Sequence, residues 1–402
     1  MHIQTTPTVD GTGRRYDLDW VRVGAFALLI LYHVGMFYVT WGWHVKSDHL
    51  SRLAEPVMSL LNPWRLALLF FISGVAIRFA SDKQSIAGFG LDKLRRLLPP
   101  IVVGMQLIVP PQTYFELRFK EAMPPDVWPF YRSYLDLTQV YPMITPTWNH
   151  LWYVVYMLVY SLLLAPLLPL LRRLATVLEP FMARLTRSGA VWVVFVPLLP
   201  FLFYQLALAP HFPTTHALFD DWANHANSLT ILLVGYFAAK SDGFWKAVDR
   251  ALPVAAAIAG GLAICVLFIR ANRGMLAGID MRDIYGLLRV VYAWTAILTI
   301  LGFAQRYLNR ESRALGYLSE AVFPYYILHQ TIIVVVAFQF IGSNISLGYE
   351  LAAILLATFG GCALLHEFVI RRSRFLRPLF GLKPTRGPVG FKPASALPGG
   401  KG

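Results

Sequence analysis

The sequence predicts an all-α, polytopic membrane protein of about ten transmembrane helices, and three observations carry that expectation. Hydrophobic residues make up 56% of the 402 positions and charged residues only 14%, where a water-soluble domain carries about 25%. Mean hydropathy is +0.53. The apolar residues also gather into runs of roughly 20, the length an α-helix needs to cross the hydrocarbon core.

In chain order those runs cover 20–40, 60–80, 97–115, 150–171, 189–209, 226–240, 252–270, 284–305, 320–342 and 348–370. Pro110 and Pro111 interrupt the third run, and the sixth is short. Proline inside a span is tolerated only where neighbouring helices satisfy the freed backbone groups. The first run is too long for a secretory signal and lacks a small-residue cleavage site, so it reads as a retained helix. The expected organisation is a cytoplasmic segment, 1–19, a membrane-embedded domain, 20–382, and a Gly-, Pro- and Lys-rich tail, 383–402, expected to be disordered. Loop 116–149, dense in proline and aromatics, is long enough to form a lid or an interfacial element.

The net charge of +14, from 36 Lys and Arg against 22 acids, raises the question of a nucleic-acid partner. Position answers it: the basic residues lie in short loops between apolar runs, where membrane orientation accounts for them. With the N-terminus inside, the inner segments hold Arg14 and Arg15, then Lys83, Lys93, Arg95 and Arg96, then Arg172, Arg173, Arg184 and Arg187, and finally Arg371, Arg372, Arg374 and Arg377. Loops 210–225 and 342–347 contain no Lys or Arg, as outer loops should. A multi-pass protein of the inner (cytoplasmic) membrane with both termini cytoplasmic is therefore expected. Cys265 and Cys362 both lie in apolar runs, which argues against a disulfide framework or a zinc cage, and no metal is expected. His211, His216, Asp220, Asp221 and His225 match no compact ligand spacing and read as a solvated loop.

Chemistry concentrates at a few intramembrane positions. Arg22 and His33 stand eleven residues apart in the first run, which on a helix is three turns plus roughly 20°. They share a face, about 16 Å apart along the axis. That geometry suits a long anionic donor held by its phosphates at the inner surface with its reactive end beside a histidine able to take a proton. The structural alternative is a snorkelling anchor and a packed polar residue. Arg65, one turn inside the outer boundary of the second run, either contacts an acceptor or developing oxyanion or snorkels to the headgroups. Lys93, Arg95 and Arg96 precede Pro99 and Pro100 and form a candidate phosphate cluster. His150 and Asn149 open the fourth run, and His329 lies mid-membrane in the ninth, where an interhelical hydrogen bond explains it. His366 and Glu367 beside Arg371 read as an inner-surface cluster.

The run from Asp19 to His33, the stretch Phe70-Phe71-Ile72-Ser73-Gly74, the basic run before Pro99, the His150-Leu151-Trp152 opening and the stretch Tyr326 to Gln330 together resemble, in order, the motifs of acyltransferase family 3. Within the family, Trp43-His44-Val45, Arg65 and the ending around Glu367 to Pro384 are similar to the glucan-biosynthesis protein C type. The resemblance implies O-acylation, succinylation included, of an extracytoplasmic carbohydrate such as a periplasmic glucan. It implies acyl-CoA (acetyl-CoA or succinyl-CoA) as co-substrate, with Arg22 on the donor and His33 in catalysis. The Arg-x-x-Arg pair common in the family is here Lys93-x-x-Arg96, which keeps charge and loses one bidentate fork. Arg65, His44 and His150 are the expected acceptor-side residues. The rival from another class is a secondary transporter of a small polar metabolite, since interior His and Arg also mark transport pathways.

Overall fold

The computed structural model describes residues 14–121, 126–136, 141–272 and 281–384. The N-terminal segment before Arg14 and nearly all of the tail from Lys383 lie outside the described residues. Among the described residues there is no strand. Long apolar runs fold this way because, in lipid, each backbone group must find its partner within its own segment.

Helices α1 (Tyr16–Tyr38) and α2 (Glu55–Ser81) form the first hairpin. Helix α3 (Ile86–Val103), capped by the Ser85 hydroxyl, runs into a π-helical turn, Gly104–Ile108, and then α4 (Pro110–Phe119). The interruption expected at Pro110 and Pro111 is present, but the prolines begin a new helix, where a missing N–H costs nothing. Helix α5 (Val127–Leu135) lies in the following loop. Helices α6 (Trp152–Leu164) and α7 (Leu168–Ser188) meet at 85°, so the run 150–171 bends instead of continuing straight. Along α7, Arg172, Arg173, Arg184 and Arg187 share one side and the leucines the other, the pattern of a helix lying on a membrane surface.

The remaining helices are α8 (Trp192–Phe195), α9 (Leu198–Ala207), α10 (Trp222–Ala238), α11 (Asp242–Ala271), α12 (Arg282–Tyr307), α13 (Arg313–Phe338), α14 (Leu347–Leu364) with a π-helical continuation to Ile370, and α15 (Leu376–Leu379). Among the described residues six helices, α1, α2, α11, α12, α13 and α14 with its continuation, are long and apolar enough to cross a membrane, or seven if the bent pair is one span. The chain is a multi-pass, all-α membrane protein. The other expected runs, 97–115, 189–209 and 226–240, are helical but interrupted or short; α10, for example, has 17 residues.

Burial separates lipid-facing helices from central ones. The most apolar stretch of α13 is 61% buried and that of α11 only 17%, so α13 sits inside the bundle. Helices α2 and α10 meet backbone to backbone at Gly74 and Gly235, where a Cβ would fall 1.8 Å from the Leu232 carbonyl oxygen and 2.0 Å from that of Phe71. At one end of the bundle Asp82 pairs with Lys240 at 2.6 Å and Arg78 at 3.3 Å; at the other, Glu55 pairs with Arg270 at 3.1 Å.

Loop 210–225 is more ordered than a solvated loop. Asp221 is fully buried and accepts from the Tyr156 hydroxyl (2.6 Å), the Thr215 and His216 N–H groups (3.0 and 3.1 Å) and the Asn224 amide (2.6 Å). His216 stacks on Trp152 and His225 on Tyr156, while His211 and Asp220 are exposed. Among the described residues no group of three or more His, Cys, Asp or Glu is placed to hold a metal.

Candidate active site

The central pair joins the first helix to the thirteenth. His33 on α1 places Nδ1 2.8 Å from Nε2 of His329 on α13, with the rings stacked at 5.0 Å between centroids. His329 Nδ1 in turn lies 2.7 Å from the Tyr326 carbonyl oxygen and 3.2 Å from that of Tyr325. Carbonyls only accept, so His329 carries its proton on Nδ1. With both rings neutral, His329 Nε2 must accept, and His33 Nδ1–H must donate to it. The chain of bonds leaves the lone pair of His33 on Nε2, which has no hydrogen-bond partner among the described residues. A histidine held in one tautomer with its free nitrogen unspent is the arrangement a general base needs.

Three other sequence-predicted residues gather around this pair. His33 lies within electrostatic reach of Arg65, His150 and His44. His150 meets the His329 ring edge-on at 5.3 Å, donates from Nε2 to the Ile327 carbonyl at 3.1 Å and accepts at Nδ1 from Gln112 at 3.3 Å. The His44 Nδ1–H donates to Glu116, and its Nε2 accepts from Gln330 at 2.9 Å. Gln330 also donates to Gln112 at 3.1 Å, so Glu116, His44, Gln330, Gln112 and His150 form one continuous polar chain.

Arg65 does not snorkel. It is 7% exposed, with its guanidinium carbon 3.3 Å from the centre of the Tyr32 ring, and its Nε and Nη1 have no hydrogen-bond partner among the described residues. Burying a guanidinium with donors unspent is costly. A ligand oxygen placed there would recover that cost, and an oxyanion would recover most.

At the other end of α1, Arg22 pairs with Asp19 at 3.0 Å and lies within electrostatic reach of Arg96. Arg95 and Arg96 are exposed; Lys93 is half-buried 5.3 Å from the Phe89 ring, and burial together with neighbouring Arg96 pulls its ammonium down to about 8. Between Arg22 and His33 the α1 residue Phe26 packs edge-on against Tyr153 and Tyr326. The predicted cationic end and the histidine end are thus joined by an aromatic stretch. The hydroxyl of Tyr153 is bonded to Ser73 at 2.6 Å.

Sequence reasoning left three participants unassigned. His329 read as a structural hydrogen bond; it is one, and its partner is His33. Glu116 and Gln112 sit in the interrupted run and carried no motif, although a buried acid near a membrane interior is a functional signal by default. His366 is fully buried, with neither ring nitrogen bonded among the described residues and its ring edge-on to Tyr317 and Tyr325.

A histidine pair and a buried guanidinium gathered inside the helix bundle define a membrane-embedded protein with a polar interior site. A family model described as an acyltransferase domain matches residues 15–367, and the chain belongs to this family, acyltransferase family 3. The glucans biosynthesis protein C sequences of Salmonella paratyphi B, Salmonella heidelberg and Salmonella enteritidis are each 24% identical to it over 147 residues, 36% of this chain and 37% of theirs. The match thus spans little more than a third of the length of these curated relatives. No solved structure matches the chain.

Proposed function

We propose that the protein transfers an acyl group, acetyl or succinyl, from cytoplasmic acyl-CoA to a hydroxyl of an extracytoplasmic carbohydrate. One observation carries this reading beyond the family: the hydrogen-bond order Tyr326 carbonyl, His329, His33, which leaves His33 Nε2 as a base. In the proposed step His33 Nε2 takes the proton of the acceptor hydroxyl as its oxygen adds to the thioester carbonyl. Arg65 Nε–H and Nη1–H face the resulting oxyanion. Collapse breaks the carbon–sulfur bond, and the departing thiolate receives the proton from His33. Arg22, Lys93, Arg95 and Arg96 supply the positive end for the donor's phosphates. The acceptor class is suggested by the glucan relatives' name, and membership of an acyltransferase family favours this reading over a transporter.

The test is transfer by purified protein in nanodiscs, using acyl-labelled CoA thioesters and a glucan oligosaccharide, with ester formation read by mass spectrometry. Transport of the oligosaccharide or donor in proteoliposomes with no ester formed would sink the proposal. In the same assay, His329→Leu is expected to lower kcat by about 10²-fold with little change in KM, because His33 then loses the acceptor that fixes its tautomer and ring angle. His329→Gln, whose side-chain oxygen can accept from His33 Nδ1–H, should recover part of the loss. Equal rates for both variants and wild type would remove His329 from the mechanism.

A further inference from the structure

A cavity of about 530 Å³ lies among α2, α9, α10 and α12, toward the end of the bundle where loop 210–225 closes over it. It contains none of the residues of the histidine site. Its wall combines two kinds of chemistry. Trp152, its face covered by His216, and the buried Trp294 belong to the apolar part of the wall. Asn62, Gln205 and Asn227 supply amides, each able both to donate and to accept, as sugar hydroxyls require. The amides of Asn62 and Gln205 have no hydrogen-bond partner among the described residues, and the Asn227 amide nitrogen is spent on the Ala223 carbonyl at 2.7 Å, leaving its oxygen free to accept.

Charge then narrows the ligand. Arg289, two turns into α12, lines the cavity half-buried. It contacts the Tyr285 ring at 5.8 Å and has no carboxylate partner among the described residues. Among the described residues no Asp or Glu lines the cavity. A guanidinium facing a pocket without acids selects a carboxylate or a phosphate, which it binds by paired hydrogen bonds. We infer that this cavity binds a sugar of the acceptor that carries an anionic substituent, its hydroxyls on the amides of Asn62, Gln205 and Asn227 and its anion on Arg289. The assignment rests on the proposed acyl transfer to carbohydrate for its purpose, though not for its chemistry.

The cavity also neighbours Arg65. Arg65 follows Asn62 by less than a turn on α2, and it lies within electrostatic reach of His33 and of His216, which lines the cavity. Arg289 and Arg65 both lie within electrostatic reach of Tyr32, the neighbour of His33.

Fluorescently labelled glucan oligosaccharides, one neutral and one bearing a phosphate ester, distinguish the possibilities when titrated against full-length protein in zwitterionic nanodiscs and followed by anisotropy. The wild type is expected to bind the phosphorylated probe about tenfold tighter than the neutral one. Arg289→Gln should abolish that preference, Arg289→Lys should restore part of it, and Ala67→Trp, which fills the cavity, should weaken both probes. His33→Ala should bind both like wild type. Equal binding of the two probes by wild type, or a preference that survives in Arg289→Gln, overturns the assignment. Cavity-dependent binding without any acyl product upholds the site and refutes the acyltransferase reading, so the two fail separately.

Discussion

His33→Ala is expected to lower acyl transfer by about 10³-fold, through kcat, while the protein still inserts and binds both substrates. The size follows from what is removed. His33 Nε2 is the base in the proposed step, and the imidazole next to it cannot take over: His329 Nδ1 is committed to the Tyr326 carbonyl at 2.7 Å, and its Nε2 faces the vacated space one ring farther away. His150 is also committed at both nitrogens, to Ile327 and Gln112. The alanine leaves His329 Nε2 without its donor, a loss of about 1–3 kcal/mol in stability. His33→Gln separates the two effects, since its amide N–H can still donate to His329 while offering no base. Both variants should therefore be equally inactive, with the glutamine form the more stable. Transfer within a few-fold of wild type in either one would remove His33 from catalysis.

The parts of this site that were legible in the sequence are those that local periodicity determines. Arg22 and His33 share one uninterrupted helix, so their spacing and common face followed from helical geometry alone. Arg65, His44 and His150 stood out singly as polar groups near apolar runs, but nothing local indicates that they meet. The pairing of His33 with His329 spans 296 positions and depends on how α1 packs against α13, which no pattern within either helix encodes. The 85° bend after Leu164 was missed for a related reason: apolar content continues through Pro166 and Pro169 into the leucine side of α7, so hydropathy carries no sign of the turn. Asp221 shows the opposite error. Its polar neighbours suggested exposure, whereas four converging donors make burial of that carboxylate tolerable.

The second large effect concerns the scaffold. Gly74→Ala and Gly235→Ala are each expected to destabilise the protein by about 3 kcal/mol or more. A Cβ at Gly74 meets the Leu232 carbonyl oxygen at 1.8 Å and the Tyr236 nitrogen at 2.9 Å; one at Gly235 meets the Phe71 carbonyl oxygen at 2.0 Å and its carbon at 2.8 Å. These are backbone atoms, which cannot rotate aside, so α2 and α10 must separate along their length. Inside a bilayer no hydrophobic gain compensates for the packing lost, because lipid tails are as apolar as the surfaces exposed. Gly24→Ala on α1 is the control, since a Cβ there meets nothing within 4 Å and alanine gains roughly 0.8–1 kcal/mol in helix propensity over glycine. Thermal midpoints in detergent should fall sharply for the first two variants and hold or rise for the third. A Gly74→Ala midpoint equal to that of Gly24→Ala would mean that the α2–α10 contact is looser than described. The consequence reaches the proposed chemistry, because α2 carries Arg65 toward His33 and α10 carries Asn227 into the cavity: parting these helices moves the proposed acceptor site away from the proposed base.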